Sequence, residues 1–366
     1  MAVNVGGRGD RGGDAGTTGP RTASPGTGAG SSGAGADRAR VNLVLAPTPL
    51  HHAPRLSREL GVAVLLKRDD LAGAGLGGNK LRGLEFLIAD ALARGCDSLV
   101  TGAGPQSNWT MLAALACLRY GLEPHVVCYG AGVPGRAEGN LRLHRWLGVD
   151  VRFTGAAERS SVDAGIAAVT AELRAAGRRP YPVPRGGATA LGALGYVRAS
   201  VELAAQLDGL DAPPAGLWLA TGSCGTQAGL VAGAALTAAP YQVVGVTVSR
   251  PASECRARIR ELAASAAALE GIEAGLPEPD VRDGWTGPGY GIPSAAGQAA
   301  ALLVARTEGV FLDPAFGAKA MAALIDGCRA GRVQGPQVFL VSGGVPTLFA
   351  GSALDGPVLA GSWGDG

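Results

Sequence analysis

Short runs rich in β-branched residues alternate with longer segments rich in alanine, leucine and arginine along most of this chain. The strand-like runs lie at 62–66, 98–101, 125–128, 216–220, 241–248 and 337–341. The segments rich in alanine, leucine and arginine, in which residues have helical spacing, lie at 81–94, 109–120, 162–176, 191–207, 227–236, 295–307 and 318–329. Strands that alternate with helices are joined by crossovers and form parallel sheets. The pattern therefore predicts an α/β fold built from doubly wound parallel sheets.

Residues 1–40 differ in composition from the rest of the chain. They are dense in glycine, alanine, serine, threonine and proline and contain no Leu, Ile, Phe, Tyr or Trp. Such a segment buries too little apolar surface to offset the entropy lost on ordering. It also lacks the apolar centre of a secretory signal, and its aspartates argue against a transit peptide. We therefore expect a disordered tail ahead of the folded chain.

Charge and cysteine usage exclude several classes of function. The net charge of +2 gives no reason to expect a nucleic-acid or membrane partner, and no apolar run reaches the length of a membrane span. The six cysteines have no metal-ligand spacing, so we interpret them as reduced thiols of a cytoplasmic protein. The four histidines form no metal-binding or hydrolase pattern. Neither a metal site nor a Ser-His-Asp triad is therefore expected.

A glycine-rich run at 73–78 leads to Lys80, where a helix is predicted to begin. Its spacing formally matches a dinucleotide-binding fingerprint, but the loop is too long for the tight strand-to-helix turn of that motif. A nucleotide-binding P-loop fits less well, because Leu81 stands where a Ser or Thr is required. A third interpretation makes Lys80 a reactive amine, since partial burial disfavours its charged form and helps it condense with an aldehyde. The alternative is a surface lysine at the start of an amphipathic helix.

The loop after the predicted strand at 216–220 consists of small residues, namely Gly222, Ser223, Cys224, Gly225 and Thr226. Glycine lets the backbone approach a ligand closely, hydroxyls add donors, and the following helix N-terminus favours an anion. We favour a phosphate site here over a plain tight turn. A reactive lysine and a phosphate site are what an enzyme needs to hold pyridoxal phosphate (PLP) covalently and by its tail. Because such loops meet at the carboxyl ends of parallel strands, we expect one shared site.

Ser107 and Asn108 follow the strand at 98–101 and begin another predicted helix. The free backbone N–H groups at such a helix start bind anions, including the carboxylate of a substrate. Either residue could equally serve as the N-cap of that helix. The two roles are compatible.

Many short motifs resemble those of the 1-aminocyclopropane-1-carboxylate (ACC) deaminase and D-cysteine desulfhydrase family. They read Lys-Arg-Asp-Asp at 67–70, Gly-Gly-Asn-Lys-Leu-Arg at 77–82, Leu-Glu-Phe-Leu at 84–87, Gln-Ser-Asn at 106–108, Ala-Leu-Gly-Ala-Leu-Gly-Tyr at 190–196, Gly-Val-Thr-Val-Ser-Arg at 245–250, Pro-Gly-Tyr-Gly-Ile-Pro at 288–293, Leu-Asp-Pro at 312–314 and Gly-Gly at 343–344. They cover residues 45–350 in the family's order. The resemblance implies PLP fold type II, with two doubly wound parallel-sheet domains and the cofactor in the cleft between them. It places a small domain at 82–195 within a large PLP-binding domain at 41–81 and 196–366.

The resemblance also implies a role for each matching residue. Lys80 resembles the Schiff-base lysine, and the other catalytic residues implied are Ser107 and Tyr290. The residues implied to bind PLP beside Lys80 are Asn79, Asn108 (at the phenolic oxygen), Ser342 (facing the pyridine nitrogen) and the loop from Gly222 to Thr226. The substrate site implied is lined by Ser107, Asn108, Trp109, Tyr290 and Phe316. A small amino-acid substrate and a homodimer follow from the same resemblance.

Four positions depart from the family pattern. Phe316 and Gly317 stand where the ACC deaminase branch has a tyrosine and a glutamate, which argues against ACC deaminase activity. Trp109 replaces a usual His or Gln and would place a large ring beside the carboxylate site. Gly83 replaces a second lysine that helps to hold the phosphate, so weaker PLP binding is expected.

The reaction that the resemblance implies is α,β-elimination on a small β-substituted amino acid, in the manner of a D-cysteine desulfhydrase. Lys80 would take up the α-proton. A hydroxyl at Ser342, in place of a carboxylate, would protonate the pyridine nitrogen less and favour prompt loss of the β-substituent. Two alternatives use the same residues: β-replacement by an added nucleophile, and a PLP-binding protein that has lost catalysis.

Overall fold

The computed structural model describes residues 38–132 and 137–351. The strands are β1 (Leu50–His52), β2 (Val64–Arg68), β3 (Ser98–Ala103), β4 (Glu123–Cys128), β5 (Asp150–Phe153), β6 (Pro180–Pro182), β7 (Gly216–Thr221), β8 (Gln242–Thr247), β9 (Asp280–Arg282) and β10 (Gln337–Val341). The helices are α1 (Pro54–Leu60), α2 (Lys80–Ala93), α3 (Asn108–Arg119), α4 (Gly139–Trp146), α5 (Ser161–Ala175), α6 (Ala190–Leu207), α7 (Gly225–Thr237), α8 (Ala252–Glu270), α9 (Ala295–Glu308) and α10 (Gly317–Arg329). No helix within these ranges has the length and apolarity that a bilayer crossing requires.

A six-stranded sheet has the order β1-β2-β10-β7-β8-β9. Its pairings are parallel except at the edge, where β1 runs antiparallel to β2. The last strand of the chain, β10, lies between β2 and β7 and is buried along its whole length, as expected for a parallel sheet covered on both faces. The segments that follow β2, β10, β7 and β8 therefore leave the sheet at the same edge.

A four-stranded sheet has the order β5-β4-β3-β6, and its pairings are all parallel. Its central strand β3 is buried throughout. The segments after β3, β5 and β6 leave at one edge and carry the residues 104–107, 154–160 and 183–188. Two parallel sheets in two α/β domains are thus present, as the sequence predicts.

Glycines allow the helices that flank the site to pack almost backbone to backbone. A Cβ atom placed on Gly229 of α7 would lie 2.2 Å from the carbonyl oxygen of Ala193 in α6. A Cβ atom placed on Gly195 of α6 would lie 2.3 Å from the carbonyl carbon of Arg82 in α2. Both distances are too short for any side chain. Helices α2 and α7 are therefore both packed closely against the same helix, α6.

The elements predicted from the sequence are found to within about two residues of their expected ends at most positions. The short strands β1, β5, β6 and β9 and the helices α1, α4 and α8 were not predicted from the sequence. Residues 280–282 form the edge strand β9. The predicted tail lies outside the described residues, apart from 38–40. The proposed domain limits, which remain a prediction, would fall inside α2 and α6.

Candidate active site

Lys80 is the first residue of α2, and a tight glycine loop delivers it to the cleft. Gly77 and Gly78 have φ angles of 67° and 132°, a conformation that favours glycine. A Cβ atom on Gly77 would lie 1.9 Å from the carbonyl oxygen of Asp70. The N–H of Asn79 donates to the carbonyl oxygen of Ser342 over 3.0 Å. The loop after β2 is thereby tied to the loop after β10, and Lys80 points into the space between them.

Burial lowers the pKa of Lys80 to about 8, because desolvation disfavours an ammonium group. No carboxylate pairs with its amine among the described residues. A lysine in this state supplies a neutral amine far more readily than a surface lysine does, and a neutral amine can attack an aldehyde or accept a proton. Lys80 therefore lines a cavity and does not lie on an open helix surface.

The loop at 222–226, which is predicted to bind phosphate, lies beside Lys80. Asn79 joins the two, because its Nδ2 donates to Thr226 Oγ1 over 3.0 Å. Cys224 adopts the left-handed conformation, with φ 76°, as the N-cap residue of α7. Its side chain is buried away from the cavity, so only its backbone can serve a ligand. The first N–H groups of α7, like those of any helix, lie ahead of the intrahelical acceptors and can bind an anion.

The hollow at the start of α7 has the shape and donors that a phosphate group requires. It is lined by Asn79, Lys80, Gly83, Trp109, Gly186, Gly187, Ala188, Gly192, Tyr196, Ser223, Gly225 and Thr226. Gly186 and Gly187 both have φ angles above 70°, and their backbone forms the wall opposite Ser223. Hydroxyls, an amide and a helix N-terminus therefore surround a space that lacks any carboxylate.

Ser107 and Asn108 lie at the start of α3 on the opposite wall. Ser107 is the N-cap, and its Oγ accepts from the N–H of Thr110 over 3.4 Å. Asn108 Oδ1 accepts from Asn140 Nδ2 over 2.8 Å, which leaves the Asn108 Nδ2 donor facing Gly344 and the cavity. Asn140 is fully buried and also binds both the carbonyl and the side chain of Gln106. Asn140 therefore orients Gln106 and Asn108. Its position in the sequence, at the start of α4, did not indicate this role.

Trp109 forms a rigid wall of the cavity. Its Nε1 donates to Thr101 Oγ1 over 2.8 Å, and only 4 % of the residue is exposed. A Cβ atom on Gly187 would lie 2.4 Å from the indole ring, so the large ring is accommodated because position 187 has no side chain. The tryptophan reaches the hollow at the start of α7 as well as the main cavity.

Tyr290 closes the outer end of the cavity, between Phe316 and Arg159. The rings of Tyr290 and Phe316 are 5.6 Å apart, and the guanidinium of Arg159 lies 4.0 Å from the centre of the Tyr290 ring. Burial raises the pKa of Tyr290, so its phenol stays protonated at neutral pH. Phe316 places no hydroxyl in this cluster.

The loop that carries Tyr290 is held from beneath by Lys319, which is fully buried in α10. Lys319 Nζ donates to the carbonyl oxygens of Thr286 and Gly289 over 2.6 and 2.9 Å. Burial lowers its pKa, while the nearby Asp313 opposes this shift. The Asp313 carboxylate in turn accepts the N–H groups of residues 315–317 at the start of α10, although burial raises its pKa to about 6. Gly317 offers no carboxylate to the cavity.

A buried ionic network fixes the helix of Lys80 from behind. Arg82 donates to both oxygens of Asp69 over 2.8 and 2.9 Å, and to Glu202 of α6 over 3.0 Å. Tyr196 also donates to Asp69. Burial alone would raise the pKa of Asp69, but Arg82 keeps it below its ordinary value. The motif residues at 67–70 and 196 thus position the site and do not line its main cavity.

The main cavity brings most of the predicted site residues together. Those that line it are Asn79, Lys80, Ser107, Asn108, Trp109, Gly222, Ser223, Tyr290, Phe316 and Ser342. Gly225 and Thr226 line the adjoining hollow. A lysine of lowered pKa between two helix N-termini fits PLP, a cofactor that joins a lysine amine and carries an anionic phosphate. The sequence analysis did not assign Tyr129, Arg159, Arg185 and Arg250 to the site, although they line the cavity. Tyr129, Arg185 and Arg250 follow the ends of β4, β6 and β8, which was the available signal.

Comparison with known proteins agrees with this geometry. The family described as "Pyridoxal-phosphate dependent enzyme" matches residues 41–343. A D-cysteine desulfhydrase of Yersinia pestis is 40 % identical over 319 residues, which cover 85 % of this chain and 95 % of that protein. A D-cysteine desulfhydrase of Salmonella paratyphi B is 38 % identical over 322 residues, with the same coverage. A solved structure described as an ACC deaminase homologue matches with a TM-score of 0.80 at 33 % identity, covering 86 % of this chain and 94 % of that one. The resemblance drawn from the motifs and the fold that it implies are confirmed.

Proposed function

The chain belongs to the pyridoxal-phosphate-dependent enzymes, and from the residues of its cleft we propose that it is a lyase acting by α,β-elimination on a small β-substituted amino acid. One observation supports this most: the Lys80 amine, with its pKa lowered to about 8, lies in a cavity flanked by the N-termini of α7 and α3. One helix start accommodates the cofactor phosphate and the other a substrate carboxylate. The D-cysteine desulfhydrase relatives support a β-leaving group such as a thiol.

Different residues of the cleft would bind different parts of the cofactor. Thr226, Ser223 and the first N–H groups of α7 would bind the phosphate, with Asn79 bracing Thr226. Asn108 would donate from Nδ2, because Asn140 occupies its Oδ1. Ser342 would present a neutral hydroxyl to the ring nitrogen. When bound, PLP supplies an aldehyde for the substrate amine and a ring that accepts electrons.

The elimination balances without an oxidant or reductant. The substrate carboxylate lies against the start of α3 at Ser107, which directs the Cα–H bond at Lys80. Lys80 Nζ takes the α-proton, the Cα–Cβ double bond forms, and the Cβ substituent leaves with its electron pair. The neutral phenol of Tyr290 is placed to donate a proton to that leaving group. The released enamine then hydrolyses to a keto acid and ammonium.

ACC deaminase activity is disfavoured by the same residues. Phe316 offers no hydroxyl beside Tyr290, and Gly317 carries no carboxylate. Opening a cyclopropane ring needs a group that protonates or attacks a ring carbon, and positions 316 and 317 supply neither the phenol nor the carboxylate of the ACC deaminase branch.

The experiment is to incubate the purified PLP-loaded protein with D- and L-cysteine, β-chloroalanine and ACC, and to measure keto acid, ammonia and released substituent. Keto acid from a β-substituted substrate in a one-to-one ratio with the substituent supports the proposal. Adducts formed instead with an added thiol would indicate β-replacement, and no product from any substrate would contradict a lyase. A Lys80→Ala protein is the blank.

Location and assembly are proposed on separate grounds. We propose a cytoplasmic protein, because the described cysteines are all free thiols, which suits a reducing compartment. We propose a homodimer, because the family resemblance implies one. Light scattering on the full chain tests the second point, and a monomeric mass would contradict it.

A further inference from the structure

Three arginines line the outer part of the main cavity. Arg159 comes from the segment between β5 and α5, Arg185 from the turn after β6, and Arg250 from the segment after β8. The residues lining this cavity include no aspartate or glutamate. A low-dielectric cleft lined by charges of one sign attracts a ligand of the opposite sign.

These arginines are only partly neutralised by the protein. Arg159 donates to the carbonyl oxygen of Ser249 over 3.2 Å and stacks on Tyr290, and no carboxylate pairs with it in the described part of the chain. Arg185 reaches the half-exposed Asp163 at 3.3 Å. Burial lowers the pKa of Arg185, and the neighbouring arginines reinforce this shift. The positive charges of Arg159 and Arg250 therefore disfavour the charged form of Arg185, and a bound anion would offset this repulsion.

Arg250 adds a donor with no use inside the protein. One end of its guanidinium pairs with Glu254 at 2.5 Å. Its Nε is buried and has no partner within the described residues. A buried donor left unpaired is costly, and a ligand oxygen would satisfy it.

The hollow at the start of α7, where the cofactor phosphate is proposed to bind, is lined by Ser223, Gly225 and Thr226 and by no arginine. The arginines line the main cavity, which includes Ser223 at the edge of that hollow and extends past Ser107 to Tyr129 and Tyr290. We assign the arginines to the part of the cavity beyond the phosphate hollow. A substrate whose carboxylate lies at Ser107 and whose amine meets Lys80 would extend its side chain toward them.

We propose that the substrate carries a second negative group on its side chain, so that the β-substituent is a phosphate ester, a sulfonate or a similar anion bound by Arg159 and Arg185. This inference rests on the proposed function for its reaction and deepens it by naming the substrate class. Arg159 bridges the two sheets through Ser249 and Tyr290, so an anion held there binds across the cleft. Charge-assisted hydrogen bonds from guanidinium groups are the strongest that side chains offer to such anions.

The first test compares matched substrates in both stereochemical forms. O-Phosphoserine is set against O-acetylserine, and S-sulfocysteine against S-methylcysteine, with keto acid as the product measured. We expect kcat/KM to favour the anionic member of each pair by about tenfold or more. Arg159→Gln and Arg185→Gln should each reduce that ratio by about tenfold. Arg260→Gln is the matched control, because Arg260 is exposed and pairs with Glu278 away from the cavity; its ratio should equal that of the wild type.

The second test is binding without turnover. Calorimetry on the PLP-loaded protein compares succinate, which has two carboxylates, with butyrate, which has one. Tighter binding of succinate that is lost in Arg159→Gln supports the proposal, even if no amino acid is turned over, an outcome that would remove the proposed elimination alone. Equal affinity for the two acids, or arginine variants that weaken PLP binding while leaving the substrate ratio unchanged, would overturn it.

Discussion

The Nδ2 of Asn79 donates to the Oγ1 of Thr226 over 3.0 Å, although the two residues are 147 positions apart in the chain. The bond joins the residue before the reactive lysine to the loop that would hold the cofactor phosphate. Lys80 and the phosphate site are therefore kept at a fixed separation by one amide and one hydroxyl.

Removing either partner should weaken PLP binding. We expect Asn79→Ala and Thr226→Val each to raise the Kd for PLP about fivefold to tenfold, since one hydrogen bond contributes about 1 kcal/mol. The double variant should bind about as weakly as Thr226→Val alone, because that change already removes the bond to Asn79 as well as the hydroxyl proposed to bind the phosphate. Absorbance titration of the apoprotein measures this, and Thr307→Val, which removes a hydroxyl bonded within α9, is the control. Additive effects of the two changes would show that the bond does not couple the loops.

The rate at which PLP attaches to the apoprotein should follow the titration of Lys80. Only the neutral amine attacks an aldehyde, and burial lowers the pKa of Lys80 from 10.5 to about 8. The rate should therefore rise with pH and level off above about pH 8. At pH 7 about a tenth of the amine is neutral, against well under a thousandth for an ordinary lysine.

Stopped-flow absorbance across pH 6–11 checks this prediction, with a blocked lysine amino acid as the reference and Lys80→Ala as the blank. Borohydride should leave a covalent label on Lys80 in the wild type alone. A midpoint near 10 would mean that the cleft is more hydrated than its burial indicates.

Lys319 should act on catalysis without touching the substrate. Its two hydrogen bonds to the carbonyls of Thr286 and Gly289 hold the loop that carries Tyr290. We expect Lys319→Met to lower kcat/KM by about tenfold or more, because bonds to a charged donor contribute about 1.5–3 kcal/mol. Hydrogen exchange should quicken in residues 284–293 before it does elsewhere. Trp285→Phe, which removes an exposed bond to Asp326, is the control on the same loop, and equal losses in the two variants would argue against a specific role for Lys319.

The sequence carries the layout of the site, because its signals are local. A strand that ends in small or polar residues and leads into a helix predicts a ligand loop, and this rule located Lys80, Ser107 and the loop at 222–226. The rule did not identify either Arg159 or Lys319. Arg159 lies in a polar loop, and Lys319 lies on a helix face that the sequence indicates to be exposed to solvent. Their roles depend on contacts with Ser249 and Gly289, which are distant in the chain and have no local pattern. Strand β6 is rich in proline and helix α8 is rich in charged residues. Neither composition indicates the structure that the segment adopts, so both elements were missed.

Substitution of Gly83 tests whether the packing of α2 against α6 excludes the second lysine that the family has at this position. A Cβ atom on Gly83 would lie 2.8 Å from the carbonyl oxygen of Gly192 and 3.4 Å from its Cα, where α2 crosses α6. In an unobstructed helix, Gly→Ala stabilises by about 1 kcal/mol. Here we expect Gly83→Ala to lower the free energy of unfolding by about 1–3 kcal/mol, because the two helices must separate.

Gly83→Lys should show the same loss of stability, since its Cβ meets the same oxygen. Its ammonium would also reach the hollow beside Thr226, so PLP binding should tighten in the lysine variant and not in the alanine variant. Urea unfolding of the apoproteins and PLP titration separate the two effects, and Ala93→Gly on the exposed end of α2 gives the size of the propensity contribution. A stabilised Gly83→Ala protein would mean that α6 moves aside freely, and that the lysine was lost for a reason other than the close approach of the two helices.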